Sequence, residues 1–220
     1  MRRLVIKVDG PAGSGKSTTA RLVASRLGYV YLDTGAMYRA VTLKVLRSGV
    51  DPDNPEGLSE LMEKMEIRIN SENRVWLDGE DVTQEIRDPR VDDLVSIISA
   101  MPLVRGKLVA MQRKIGEEGG LVCEGRDIGT VVFPDAELKI YMDADLSERA
   151  RRRQRELEEK YVYLGKEKVM EALLNRDRID GSRAHSPLRI PEGAVVIDTT
   201  GLTKEEEIER VLEEARKCAA

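Results

Sequence analysis

Residues 9–18 of this chain read DGPAGSGKST, and this stretch decides the fold class. It follows a short apolar run, residues 4–8, whose length and β-branched composition are typical of a buried strand. Three glycines stand within six positions, and a stretch with helical periodicity begins at Lys16. A strand that ends in a glycine-rich turn and opens a helix is typical of an α/β domain with a parallel sheet.

The glycine-rich turn also has the chemistry of a phosphate site, because residues 10–17 match the spacing G-x-x-x-x-G-K-[ST]. Glycines let successive N–H groups surround phosphate oxygens, and the N-terminus of the following helix adds positive potential. In such a loop Lys16 reaches the β- and γ-phosphates, and the Ser17 hydroxyl can ligate Mg²⁺. A plain tight turn is the alternative, and the strand–loop–helix context argues against it. We therefore predict an ATP-type site formed by Gly10, Pro11, Ala12, Gly13, Ser14, Gly15, Lys16, Ser17 and Thr18.

The rest of the chain alternates strand-length apolar runs with helical stretches, which predicts a doubly wound parallel sheet. Residues 66–82 break this rhythm, because two β-like runs flank polar turns and predict a small antiparallel insertion. Pro102 predicts a break in the long amphipathic stretch 89–115. Residues 145–148 and 203–206 have the spacing of helix capping boxes. The five predicted parallel strands are residues 4–8, 29–32, 121–123, 137–142 and 194–197.

Composition excludes several classes of function. Acidic and basic residues nearly balance to a net charge of −4, which argues against a general nucleic-acid binder. Two cysteines without a CxxC pattern and a single histidine predict neither a zinc site nor a disulfide framework. The N-terminal apolar run is too short for a signal peptide or a bilayer span. We expect a cytoplasmic monomer with no nucleic-acid or membrane partner.

A phosphate loop does not by itself identify the reaction. A Ras-like GTPase would show an N-K-x-D sequence, which is missing, and a motor ATPase would show an apolar strand ending in Asp, which residues 121–124 match only loosely. Three clusters combine arginines with carboxylates and hydroxyls, namely residues 33–39, 125–127 and 176–183. The first two follow predicted strands, where doubly wound sheets bind ligands. Surface ion pairing is the alternative explanation for each cluster.

The ordered motifs resemble those of the bacterial cytidylate kinases, a family of P-loop nucleoside monophosphate kinases. The matching stretches are GPAGSGKST, LDTGAMYR, GEDVTQEIR, EGRDIGTVVFPDA and RDRID with SRAHSPL, so the resemblance covers almost the full length. It implies a three-layer α/β/α fold with a five-stranded parallel sheet, a small antiparallel insertion and a helical lid. Within a single domain, residues 1–220, we expect a core at about 1–60, 86–145 and 190–220, the insertion at about 61–85, and a lid and acceptor-closing region at about 146–189.

The resemblance also implies the reaction, which is ATP-dependent phosphorylation of CMP and dCMP with Mg²⁺ held through Ser17. Ser96 and Asp127 match residues that recognise the cytosine base, and Asp180 matches the partner of a sugar hydroxyl. A kinase for UMP, AMP or shikimate is one alternative, and a non-catalytic nucleotide-gated regulator is another. The full set implied to bind the acceptor is Thr34, Arg39, Ser96, Arg105, Arg126, Asp127, Arg176, Asp180 and Arg183.

The stretch 147–155 is rich in arginine and lies where the resemblance implies the lid. Arg149, Arg152 and Arg153 fall on one helical face, whereas Arg151 and Arg155 are interpreted as ion-pair partners of neighbouring glutamates. The predicted catalytic residues are Lys16, Arg149 and Arg153. Asp33 and Glu124 are candidate partners of Mg²⁺-bound water, and neither His185 nor Trp76 is given a catalytic role.

Overall fold

The computed structural model describes residues 3–70, 72–159, 161–183 and 186–219, so His185 lies outside the described residues. The chain divides into two compact units, residues 1–30 with 119–220 and residues 31–118. In chain order the helices and strands are β1 (Val5–Asp9), α1 (Lys16–Leu27), β2 (Val30–Asp33), α2 (Thr34–Ser48), α3 (Pro55–Lys64), β3 (Ile67–Ile69), β4 (Val75–Leu77), β5 (Glu80–Asp81), α4 (Pro89–Ile98), α5 (Pro102–Gly116), β6 (Leu121–Gly125), β7 (Leu138–Asp143), α6 (Leu146–Glu158), α7 (Lys166–Ser182), β8 (Val195–Asp198) and α8 (Lys204–Ala219).

The main sheet has the five strands that were predicted, and the structure places them in the order β2-β6-β1-β7-β8. Strand β1 runs parallel to both β6 and β7, and β7 runs parallel to β8. Ile6 and Val8 of β1 are fully buried, because a central parallel strand is covered on both faces. The parallel arrangement brings the carboxyl ends of β1, β6 and β7 to one edge of the sheet.

Local sequence sets the ends of the first helix. Helix α1 begins at Lys16 directly after the glycine loop and is capped by Gly28, which has a left-handed φ of 64° and whose N–H donates to the carbonyls of Ala24 and Ser25. The predicted capping box of α8 is also present, since the Thr203 hydroxyl accepts from the Glu206 N–H and Glu206 accepts from the Thr203 N–H.

The capping box predicted at residues 145–148 is wrong. Asp145 precedes α6 but makes no side-chain cap hydrogen bond. Glu148 instead accepts hydrogen bonds from Arg151 and Arg152, and these guanidinium groups lower its pKa to about 2. Two cationic partners within the same helix compete successfully with the backbone for this carboxylate.

The second unit contains α2 to α5 and the three-stranded antiparallel sheet β3-β4-β5, which lies where the insertion was predicted. Pro102 is the first residue of α5 and separates it from α4, and the two helices are bent by 97°. Within the described ranges, no single helix has the length and apolarity to cross a membrane, and α4 and α5 meet that test only when they are taken together.

Candidate active site

The phosphate loop is built so that its backbone can approach close neighbours. A side chain at Gly10 would place Cβ 2.1 Å from the Met142 carbonyl oxygen, so only glycine fits. Gly15 has a φ of 91° and precedes α1 without a side-chain cap. The first N–H groups of α1 are therefore not capped by the Gly15 position, which is the arrangement that binds phosphate at a helix N-terminus.

Lys16 and Ser17 follow this loop at the start of α1. The Lys16 side chain is buried and its ammonium donates to the Pro11 carbonyl at 3.1 Å, which bends it back along the loop. The Ser17 hydroxyl donates to Glu124 Oε2 at 2.8 Å. Glu124 lies near the end of β6, next to β1, so a hydroxyl from the start of α1 and a carboxylate from β6 meet here.

These two oxygen groups fit Mg²⁺, which prefers hard oxygen ligands and usually keeps several waters around one or two protein groups. No group of three or more His, Cys, Asp or Glu residues that could enclose a metal occurs in the described part of the chain. The donor set therefore suits a Mg²⁺ ion shared with nucleotide phosphates rather than a metal held by the protein alone.

A cavity of about 210 Å³ opens beside the loop. Its basic side chains are Lys16, Arg152, Arg155 and Lys204, and these match the negative charge of a triphosphate. Lys204 was missed by sequence reasoning, because nothing in its own segment distinguishes it from a surface lysine. The lining residues are Gly13, Gly15, Lys16, Ser17, Thr18, Arg152, Arg155, Glu156 and Lys204.

Glu207 organises this side of the cavity. Its side chain is fully buried, accepts from the Thr19 hydroxyl at 2.7 Å and pairs with Lys204 at 3.2 Å and Arg152 at 3.4 Å. Arg152 also donates to the Thr199 carbonyl at 2.7 Å. One buried carboxylate thus holds two cations of the cavity, and its charge is compensated by both.

The predicted lid arginines occupy different surroundings. Arg149 is buried and donates to the Ala144 carbonyl at 3.0 Å, to the Ala12 carbonyl at 3.3 Å and to Asp177 at 2.7 Å. It therefore contacts the phosphate loop directly. Arg153 pairs with Glu156 at 3.0 Å on the more exposed side of α6. The structure brings Arg149 into contact with the loop, and the catalytic roles of Arg149 and Arg153 both stay predictions.

In the first unit, the acceptor candidates form a cluster around Asp180. Asp180 is buried and accepts from Arg126 Nε at 2.9 Å and from Arg183. Burial raises its pKa, but Arg126, Arg183 and Arg176 outweigh burial and hold the pKa of this carboxyl below its usual range. Helix α7 continues through Gly181, so Arg176 and Asp180 share one helix and Arg183 caps its end.

The second unit holds the other acceptor candidates, Thr34, Arg39, Ser96 and Arg105, all of them buried. Arg39 donates to the Ile86 carbonyl at 3.3 Å and pairs with Asp92. Arg105 donates to the Ser99 carbonyl at 3.2 Å and lies 5.6 Å from the centre of the Tyr38 ring, a cation–π distance. These contacts fix both buried guanidinium groups, and each carries a positive charge that suits an anionic ligand.

Asp33 has structural contacts within this second unit. Its carboxylate accepts from the Ala36 N–H at 2.9 Å and so caps α2, and it also pairs with Arg87 at 2.8 Å. Its suggested role beside Mg²⁺-bound water stays a prediction.

Comparisons with known proteins agree with this geometry. A family model described as cytidylate kinase matches residues 6–217. The chain is 53% identical over 212 residues to a cytidylate kinase of Caldanaerobacter subterraneus subsp. tengcongensis, covering 96% of this chain and 94% of that protein. It is 48% identical to a cytidylate kinase of Carboxydothermus hydrogenoformans, with 94% and 95% covered. The structure of TT1252 from Thermus thermophilus shares the fold with a TM-score of 0.50 at 22% identity, covering 99% of this chain and 98% of that one.

Proposed function

The chain belongs to the cytidylate kinase family, and on that premise we propose that it transfers the γ-phosphoryl group of ATP to CMP and dCMP. The observation that carries the proposal is the phosphate loop, whose uncapped helix N-terminus stands beside Lys16 and the Ser17–Glu124 pair. The products are ADP and CDP or dCDP. A UMP, AMP or shikimate kinase is disfavoured because the family match extends over both units of the chain.

The reaction needs positioning more than acid–base chemistry. The attacking oxygen belongs to the acceptor's phosphate, which is already anionic at neutral pH, so no strong general base is required. Lys16 holds the β- and γ-phosphates and offsets the negative charge that develops on the transferred group. Arg149, fixed against the Ala12 carbonyl, adds positive charge beside the same loop. When bound with ATP, Mg²⁺ supplies further neutralisation of the phosphate oxygens, and Ser17 with Glu124 would hold it.

We assign the acceptor to the remaining buried polar residues. Arg39 and the arginines around Asp180 carry positive charge for its phosphate, and Asp180 accepts from a pentose hydroxyl. Ser96 and Asp127 recognise the base, since a carboxylate accepts from the exocyclic amino group of cytosine and is repelled by the oxygen that uracil has there. Closure of the region 146–189 would exclude water and so limit ATP hydrolysis. We also propose that the protein is a cytoplasmic monomer.

A panel of acceptors tests the function. Purified protein with ATP and Mg²⁺ is given CMP, dCMP, UMP, AMP or shikimate, and ADP release is measured with product identification by chromatography. We expect turnover with CMP and dCMP and at least about 10-fold lower kcat/KM with UMP. Equal turnover of UMP and CMP would contradict the role of Asp127. No turnover with CMP would favour a nucleotide-gated regulator and would contradict the proposed cytidylate kinase activity.

A further inference from the structure

The carboxylate of Asp9 is buried, and none of the roles proposed above uses it. Asp9 is the last residue of β1 and directly precedes the phosphate loop, and its side chain is fully buried. In the sheet, its backbone lies in register with Gly125 of β6 on one side and Tyr141 of β7 on the other. Gly125 directly precedes Arg126 and Asp127, so Asp9 lies beside the start of that segment.

Both oxygens of Asp9 accept hydrogen bonds from the backbone that follows Asp127. The N–H of Ile128 donates to Oδ1 at 2.8 Å, and the N–H of Gly129 donates to Oδ2 at 2.7 Å. These are the first two residues of a π-helical segment, Ile128–Val132. The first N–H groups of a helical segment have no partner inside it, so Asp9 caps this segment from another strand.

Asp127 occupies the position that would ordinarily supply this cap. It precedes the π-helical segment, and aspartate is among the preferred residues there because its own carboxylate can accept the first N–H groups. Yet Asp127 makes no side-chain cap hydrogen bond. Asp9 accepts from the Gly129 N–H, so Asp9 and not Asp127 caps this segment.

The fit around Gly129 shows how tightly this arrangement is made. A Cβ at Gly129 would lie 3.0 Å from Asp9 Oδ2 and 2.6 Å from Cγ of Pro191. Any larger residue would push the Gly129 backbone away from the Asp9 carboxylate or displace Pro191. The close approach that lets Asp9 accept this N–H therefore depends on a glycine at position 129.

We infer that Asp9 is a positioning residue for recognition of the acceptor base: it caps the segment Ile128–Val132 and so fixes the backbone that directly follows Asp127, whose carboxylate is proposed to recognise the cytosine amino group. The inference rests on the proposed role of Asp127 in base recognition. Asp9 itself touches neither substrate nor reacting atoms in this assignment and acts through the backbone that carries Asp127.

The substitution Asp9→Asn tests it, because asparagine keeps the size but presents an NH₂ group to one of the two N–H donors. We expect kcat/KM for CMP relative to UMP to fall about 10-fold, with the KM for CMP raised and the KM for ATP changed less than about twofold. A matched control is Asp198→Asn, an exposed carboxylate at the end of β8 that accepts from the Thr200 N–H at 2.9 Å. This control should retain the wild-type ratio.

Two further variants make the outcome decisive. Gly129→Ala disturbs the same contact from the other side and should lower the CMP-to-UMP ratio even if Asp9→Asn does not fold. Asp127→Asn measures base recognition directly, and adding Asp9→Asn to it should lower the ratio no further. Circular dichroism and thermal unfolding of each variant report whether it folds.

The failures are distinguishable. If Asp127→Asn lowers the ratio while folded Asp9→Asn and Gly129→Ala keep it, the inference about Asp9 is overturned and the role of Asp127 stands. If Asp127→Asn keeps the ratio, base recognition by Asp127 fails and the inference fails with it. Loss of folding in both Asp9→Asn and Gly129→Ala would also overturn the inference, because a purely structural role would then account for Asp9.

Discussion

The phosphate loop and the cluster around Asp180 provide positive potential for an anion in different ways. The loop consists of eight consecutive residues, 10–17, and offers mainly backbone N–H groups with one cation, Lys16. The Asp180 cluster brings together side chains from the end of β6 and the end of α7, and its arginines already share a buried carboxylate. Main-chain N–H donors bind an anion without burying a full charge, whereas a buried arginine requires a compensating anion. The loop is therefore local in sequence, and the cluster depends on tertiary folding.

The largest effect should come from removing the one cation of the loop. Lys16→Ala deletes charge that stabilises the transferred phosphoryl group, so kcat should fall by about 10³-fold or more with either acceptor. Steady-state ADP release with CMP and dCMP measures this. Folding should persist, because the backbone of the loop is unchanged, and circular dichroism checks it. A loss of less than about 10-fold would contradict the placement of Lys16 at the γ-phosphate.

The next effect concerns the cluster. Asp180→Asn removes the carboxylate that Arg126 and Arg183 contact, so we expect the KM for CMP to rise about 10- to 100-fold while the KM for ATP changes less than about threefold. Initial rates with each substrate varied in turn measure the two constants. Asp198→Asn is again the matched control. Equal increases in both KM values would show that Asp180 does not act on the acceptor side.

A third prediction contrasts the compensated charge of the cluster with a buried charge that lacks a direct partner. Lys7, fully buried in β1, has no hydrogen-bond partner for Nζ among the described residues. Burial, with Lys139 as a second cause, lowers its pKa to about 8. Lys7→Met should therefore raise the free energy of unfolding at pH 7 by about 1–3 kcal/mol. Urea unfolding measures this change, and a destabilised Lys7→Met would mean that the ammonium has a stabilising partner.

A fourth prediction separates two buried carboxylates by the sign of their pH dependence. Burial raises the pKa of Asp9 to about 6, with Asp127 adding to the shift and Lys7 opposing it. The folded protein therefore holds this proton more tightly than the unfolded chain, and the contribution of Asp9 to stability decreases as pH rises from about 4 to about 6. Asp180, whose pKa is lowered, contributes stability above about pH 4 that is lost as pH falls through its folded pKa.

Unfolding by urea across pH 3–8 checks this difference. The wild-type free energy of unfolding minus that of Asp9→Asn should decrease by about 1–3 kcal/mol between pH 4 and pH 7. The same difference taken with Asp180→Asn should instead increase as pH rises over the acidic part of this range, because the pKa of Asp180 is lowered in the folded protein. Parallel slopes for the two variants would contradict the opposite environments of these carboxylates. Tyr141, the β7 neighbour of Asp9, is neutral throughout this range, since its pKa is raised.

Local patterns predicted much of the fold, and the misses have a common cause. The end of α1 at Gly28 and the start of α5 at Pro102 follow from residues whose backbone preferences act on their immediate neighbours. The capping box at Asp145 was wrong because Glu148 found arginine partners instead. Competition between partners is invisible in a spacing rule, which counts only residues that lie close in sequence.

In the candidate site too, local features could be predicted from the sequence and contacts between distant residues could not. The phosphate loop, residues 10–17, could be predicted, because consecutive N–H groups need only glycines and a following helix. Lys204 and Glu207 could not, since the place of Lys204 in the cavity and the contacts of Glu207 with Thr19 and Arg152 depend on how α8 packs against α1. No pattern within residues 203–208 indicates a buried carboxylate, because acidic residues in this pattern are typical of the first turn of an exposed helix.

By itself, the sequence determined the α/β class, the phosphate loop and the family, because each depends on residue types at short or ordered spacing. Only the tertiary structure decided which carboxylate performs which task. Asp127 stands where it could cap its own segment, and it is Asp9, more than a hundred residues earlier, that does so. Hydrogen bonds between distant strands form only after the parallel sheet has aligned β1 with β6, and no local pattern specifies that alignment.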